Sequence, residues 1–121
     1  MNERIRQALS TDRTIDITTT GRRSGRPSRK EMWFHNLDGE IYITGSPGTR
    51  DWYANMLVHA DFTFHLKGSV VADLPARATP ITDPDARRII MGGILRKMNR
   101  SSDLDTWVAR SPLVAVTFKD N

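Results

Sequence analysis

The stretch Arg29–Gly45, RKEMWFHNLDGEIYITG, decides the fold. Up to Leu37 it alternates, with Glu31, Trp33 and His35 on one face and Met32, Phe34 and Asn36 on the other. Asp38-Gly39 then supplies the dipeptide of a tight hairpin turn. The chain returns over Glu40–Gly45 with Ile41 and Ile43 on the core side. A hairpin alone is marginal in water, so its apolar face demands further strands on either side.

Upstream, Ile15–Thr20 is rich in β-branched residues and reads as a strand. Between it and the hairpin lies GRRSGRPS, which Gly21, Gly25 and Pro27 keep out of any regular element. Arg22, Arg23, Arg26, Arg29 and Lys30 are basic, and no acidic residue stands between 21 and 30. Ser24 and Ser28 add hydroxyl donors, and the glycines let backbone N–H groups approach a ligand. Guanidinium forks, hydroxyls and bare amides together suit a polyanion, which we read as a phosphate-bearing ligand. Those five basic residues exceed the whole formal excess of +4, so the charge is local. A discrete anion site fits that pattern better than a general nucleic-acid or membrane coat. Further upstream, ERIRQAL places Ile5 and Leu9 four apart on a short amphipathic helix that covers one end of the core. Two apolar residues are too few to hold a membrane anchor, which leaves at most a weak surface contact.

Downstream, SPGTR (46–50) is a loop, and Asp51 is placed to cap the helix WYANMLVHA. Phe62–Lys67 alternates again, with Phe62, Phe64 and Leu66 inward. Val70–Ile81 reads as a strand that Pro75 marks as an edge or a bend. Thr82-Asp83-Pro84 opens a helix to about residue 99, where Gly92 and Gly93 allow close packing or a bend. A helical turn near Asp103–Ala109 and a strand, Leu113–Phe118, complete the chain. Strands in sequence joined by tight turns predict a mainly β (α+β) architecture, a small antiparallel barrel with peripheral helices.

At 121 residues the sequence accommodates one domain, 1–121, around one core. It has no cysteine, no apolar run of membrane-spanning length and no signal-peptide core near its start, which together predict a cytoplasmic protein. Neither GxGxxG nor GxxxxGK[ST] occurs, so dinucleotide and P-loop readings have no support. His35, His59 and His65 lack metal-site spacing and read as exposed or hydrogen-bonded structural residues, with no metal expected.

TTTGRRSGRP, the hairpin at Asp38-Gly39, and GSPG followed by DWYAN together resemble the deazaflavin-dependent nitroreductase, or quinone reductase, family. The resemblance runs from about Ile15 to Asp83 and continues weakly to the last strand. It implies a split β-barrel related to flavin reductases and a site for coenzyme F-420, an 8-hydroxy-5-deazaflavin with a phosphate and an acidic tail. By position, Arg22, Arg23, Ser24, Gly25, Arg26 and Pro27 would hold the phosphate and tail, with Ser28 and Arg29 at the loop's end. Trp33 falls where the family sets an aromatic beside the ring. Ser46, Pro47 and Gly48, with Trp52 and Tyr53, fall where it closes the other side of the pocket. Two positions depart from the pattern. Family members often read G-x-P-R after the second glycine, whereas here Gly25-Arg26-Pro27-Ser28 puts Arg29 one place later. The tyrosines before the C-terminal tryptophan are replaced in SSDLDTW by Ser101 and Leu104, leaving Trp33, Leu104 and Trp107 as substrate contacts.

The implied activity is hydride transfer from the reduced deazaflavin to a small planar acceptor, a quinone, nitroaromatic or enone, with the cofactor carrying the chemistry. The acceptor would be the small-molecule partner, and the chain a monomer or homodimer. Alternatives are a cofactor carrier without turnover, a split-barrel protein holding FMN or haem, and a nucleic-acid binder. The last lacks aromatics interleaved with the arginines for base stacking.

Overall fold

The computed structural model describes residues 1–100 and 103–119. Its elements in order are α1 (Glu3–Thr11), β1 (Thr14–Thr20), β2 (Pro27–Trp33), β3 (His35–Leu37), β4 (Glu40–Thr44), α2 (Asp51–Val58), β5 (Asp61–Lys67), β6 (Val71–Pro80), α3 (Pro84–Lys97), α4 (Leu104–Arg110) and β7 (Leu113–Phe118). The seven strands form one sheet in the order β2-β1-β5-β6-β7-β4-β3, antiparallel at every step. Its two margins, β2 and β3, are consecutive pieces of chain. The sheet therefore curls into a split antiparallel barrel with four helices around it.

The predicted strand 29–37 is thus two strands. Phe34 interrupts it, its N–H donating to Arg13 O at 3.0 Å instead of joining either ladder. On one side of Phe34 the chain pairs with β1, on the other with β4. Phe34 itself turns into the barrel, edge-on to Phe64 at 5.2 Å between centroids. The hairpin turn is as read: Asp38 and Gly39 take φ of 53° and 93°, a left-handed pair that suits the twist of the flanking strands.

Inside the barrel the inward faces meet as the alternation requires. Ile15 and Ile17 of β1, Ile41 and Ile43 of β4, Phe62, Phe64 and Leu66 of β5, and Val114 and Val116 of β7 are buried. Ala8 and Leu9 of α1 close one end, and Trp52 and Met56 of α2 pack onto the same core. A second cluster joins Met91, Ile94 and Leu95 of α3 to Trp107 and Val108 of α4 and to Leu113. Gly93 lies on α3 where an added Cβ would stand 3.1 Å from Leu37, so close packing accounts for it.

Two local expectations are corrected. β6 is an interior strand between β5 and β7, not an edge. Pro75 is tolerated there because its missing N–H falls on the β7 side, one position beyond the last ladder pair, Ala76 with Phe118, while its carbonyl still accepts from Lys119 N at 3.0 Å. Asp51 is the first residue of α2 rather than its cap, because Arg50 takes the extended capping conformation. By contrast, Asp83 caps α3 through Ala86 N, with Pro84 at the start of the helix. Among the described residues no helix is long and apolar enough to cross a membrane.

Candidate active site

The basic loop between β1 and β2 is braced from within. Gly21 N donates to Arg26 O at 2.8 Å and Gly25 N to Gly21 O at 2.9 Å, while Ser24 Oγ accepts from Arg26 N at 3.1 Å. Gly21 is required by space, since an added Cβ would lie 2.5 Å from Ser24 Oγ and 3.2 Å from Arg26 O.

The arginines of the loop divide into two kinds. Arg22 is committed to α2: its N–H and its Nη1 both donate to Asn55 Oδ1 at 3.0 Å, and its Nη2 donates to Asp51 Oδ1 at 3.3 Å. Asn55 is only 5% exposed and passes its own Nδ2 to Thr19 Oγ1 at 3.2 Å. Arg29 is committed to β1, its Nε donating to Asp16 Oδ2 at 2.9 Å. Lys67 shares Asp16 at 2.7 Å and also bonds Glu31. Lys67 first, then Arg29, holds the Asp16 carboxyl below the usual carboxylate range. Arg23 and Arg26 are exposed, and neither pairs with a carboxylate among the described residues. Ser28 is exposed on β2.

The second loop, Ser46–Arg50, coils around a side chain that sequence reasoning passed over. Arg50 Nη2 donates to Ser46 O and its Nη1 to Thr49 O, each at 2.9 Å. Arg50 offers no side-chain cap, and the first N–H groups of α2 have no backbone partner among the described residues. This uncapped helix start lies between Arg22, bonded to Asp51, and Arg50.

Two cavities border the loop. The one at Ser46 has a volume of about 320 Å³ and is lined by Trp33, His35, Thr44, Gly45, Ser46, Met98, Arg100 and Trp107. The other, of about 610 Å³, lies against Gly48–Arg50, Tyr53 and Leu57 of α2 and Ala109–Pro112, with the buried hydroxyl of Ser111 unpartnered in its wall. The larger one sets Ala54, Leu57, Ile81 and Pro112 beside Arg50, Arg87 and Arg110. The smaller combines two indoles, an imidazole and two hydroxyl residues, a mixture that suits a flat polar molecule. Trp33 is 46% exposed with the Arg13 guanidinium 4.6 Å from its ring centre, and Arg100 stands 5.7 Å from that of Trp107.

The structure therefore brings Trp33, Ser46 and Trp107 together, and sets Gly48 and Tyr53 on the neighbouring cavity. Trp52 is buried in the barrel core and Leu104 packs beside Trp107 in the second cluster; neither lines these two cavities. No residue of 22–29 lines them either. Ser101 lies outside the described residues.

His35 departs from expectation. It is buried, yet no hydrogen bond of the described residues takes up its ring nitrogens, and burial, then the charges of Arg13 and Lys97, push its pKa down to about 4. His65 behaves as expected, bonded at 2.7 Å to both Thr18 Oγ1 and Asp73 Oδ1 in a row across three strands. His59 is exposed. Alternation already put His35 on the same face as Trp33; what it could not show was that a helix pair would roof that face.

A family model described as F420H(2)-dependent quinone reductase matches residues 2–118, nearly the whole chain. The chain belongs to that family. It is thus an F420-dependent reductase with coenzyme F-420 as its cofactor. Solved structures share its fold at low identity. A conserved hypothetical protein from Mycobacterium tuberculosis is 20% identical, with 99% of this chain and 82% of that one covered and a TM-score of 0.78. A protein described as an F420 reductase is 18% identical, with 99% and 97% covered and a TM-score of 0.69. An FAD-binding protein from Mesorhizobium loti is 11% identical, with 99% and 91% covered and a TM-score of 0.70. No curated protein matches the sequence. Within this reductase the two stretches that suggested the family, GRRSG and WYAN, are joined by the Arg22–Asn55 hydrogen bonds.

Proposed function

We propose that this reductase holds the phosphate and acidic tail of coenzyme F-420 with Arg23 and Arg26, beside the uncapped start of α2, and places a quinone-type acceptor in the Trp33–Trp107 cavity. The observation that carries this reading is the division of the loop arginines. Arg22 and Arg29 have protein partners that fix the loop, whereas Arg23 and Arg26 have none among the described residues and are left for an anion. The donor set fits the group: free guanidiniums, the hydroxyls of Ser24 and Ser28, and unclaimed helix N–H groups whose dipole favours negative charge.

Reduced coenzyme F-420, when bound, supplies a hydride. The chain supplies position and exclusion. Trp33 offers a half-exposed ring to a planar acceptor and the buried Trp107 lines the cavity beside it, Arg13 and Arg100 hold those rings by cation–π contact, and Met98 closes the wall. Ser46 lines the same cavity on a loop that Arg50 keeps in shape. Ser46–Gly48 joins the cavity to the start of α2, so the tail and the reacting end address one continuous stretch of chain.

Titration of deazaflavin fluorescence with the protein tests the reading. Arg23→Ala and Arg26→Ala each weaken binding about ten- to a hundredfold, the roughly 1.5–3 kcal/mol of a hydrogen bond to a charged group. Unchanged affinity in both variants would remove the assignment. Oxidation of the bound reduced cofactor by a menaquinone analogue then distinguishes a reductase from a carrier.

A further inference from the structure

The cavity at Trp33 contains a buried polar side chain that the protein leaves unused. His35 is 8% exposed, and neither of its ring nitrogens meets a hydrogen-bond partner among the described residues. The other buried histidine, His65, has both nitrogens satisfied. Those nitrogens are not sealed off: among the described residues Ser111 Oγ is the one wholly buried side-chain polar atom without a partner, so the imidazole of His35 reaches water through the cavity it lines, and a molecule that fills the cavity must replace that water's hydrogen bond. The Thr44 hydroxyl in the same wall donates to Pro112 O at 2.5 Å. The Lys97 ammonium is taken by Asn36 O, and the Arg13 guanidinium lies over Trp33. Burial first, then these two cations, keeps the imidazole neutral near pH 7, so it presents one N–H and one lone pair.

We propose that His35 recognises the acceptor, donating its ring N–H to a carbonyl oxygen of a quinone that lies against Trp33 and Trp107. The inference rests on the cavity's being the acceptor site, as argued above. A neutral imidazole suits this task. It gives a hydrogen bond to an oxygen that gains negative charge as the quinone is reduced, and it carries no charge whose desolvation would oppose an apolar ring. His35 also explains selectivity within the class of flat molecules: the indoles accept any planar ring, whereas His35 favours one bearing an oxygen at its edge.

Quenching of tryptophan fluorescence by menadione, with the full chain and no cofactor, measures acceptor binding directly, because Trp33 and Trp107 line the cavity. His35→Phe weakens menadione binding about three- to tenfold, the range of a neutral hydrogen bond. His35→Gln, which keeps an N–H donor, stays within about twofold of the unaltered protein on the same scale. 2-Methylnaphthalene, of similar shape but without oxygen, binds all three alike. Equal menadione affinity in the Phe variant overturns the proposal, as does a loss that methylnaphthalene shares. Nitrogen-15 spectra of the unaltered protein give the same test without substitution. Menadione shifts the His35 ring resonances and leaves those of His59 in place; an unmoved His35 overturns the proposal. Failure of the deazaflavin titration would sink the proposed function while leaving this result to stand by itself.

Discussion

At the scale of single residues, Arg22 and Arg26 sit four positions apart in one loop and do different work. Arg22 welds the loop to α2 through Asn55, while Arg26 has no such tie. Arg26→Ala should leave the thermal midpoint within about 1 °C while reducing cofactor affinity, as expected for an exposed side chain. Asn55→Leu should do the reverse. It strands the Arg22 N–H and the Thr19 hydroxyl in a buried place, at about 2–3 kcal/mol in a denaturant titration. His35 makes a second prediction, in pH. Its folded pKa, about 4, lies below the unfolded value of 6.5, so the unfolded chain binds the extra proton first. Stability is therefore full above pH 6.5, falls by about 3 kcal/mol as the pH drops toward 4, and levels off below that. Asp16, with its pKa lowered by Lys67 and Arg29, adds a separate loss only at lower pH, below the ordinary carboxylate value. His35→Gln should erase the upper window and leave the lower one.

At the scale of elements, the helices are held by bonds that no periodicity announces. Arg87 on α3 donates to Ile81 O and Val108 O at 2.7 Å and to Ser111 O at 2.5 Å, fastening α3 to the end of β6 and to α4. Arg87→Met, which keeps the aliphatic stem, should cost about 2–4 kcal/mol by chemical denaturation because it leaves carbonyls without donors. The elements themselves were legible in the residues. Alternation located β1, β4 and β5, and the Asp83-Pro84 start located α3. Errors arose where a neighbour decided. Pro75 reads as an edge or a bend, and it sits in an interior strand at the point where the ladder with β7 ends. Asp51 reads as a cap, yet it serves Arg22.

For the molecule as a whole, one piece of chain, 27–37, lies at both margins of the sheet, and its bend at Phe34 curls the barrel. Phe34→Ala should destabilise the protein by about 3–5 kcal/mol, since it empties the barrel next to Phe64. Trp33→Ala, one residue away but half exposed, should cost about 1 kcal/mol or less in the same measurement while lowering acceptor binding.

What the residues alone determined was local: the strand alternation, the Asp38-Gly39 turn, the cationic loop, and a family resemblance carried by GRRSG and WYAN. These depend on neighbours in the chain, where φ/ψ preference, hydrophobic period and charge density act directly. Only the tertiary structure decided which arginines are already matched, that His35 is buried without a partner, and that Trp33 and Trp107, more than seventy positions apart, wall one cavity. Pairing, burial and enclosure are properties of side chains brought together by the curl of the sheet, and no spacing within a strand or loop encodes the group that will arrive from the far end of the chain.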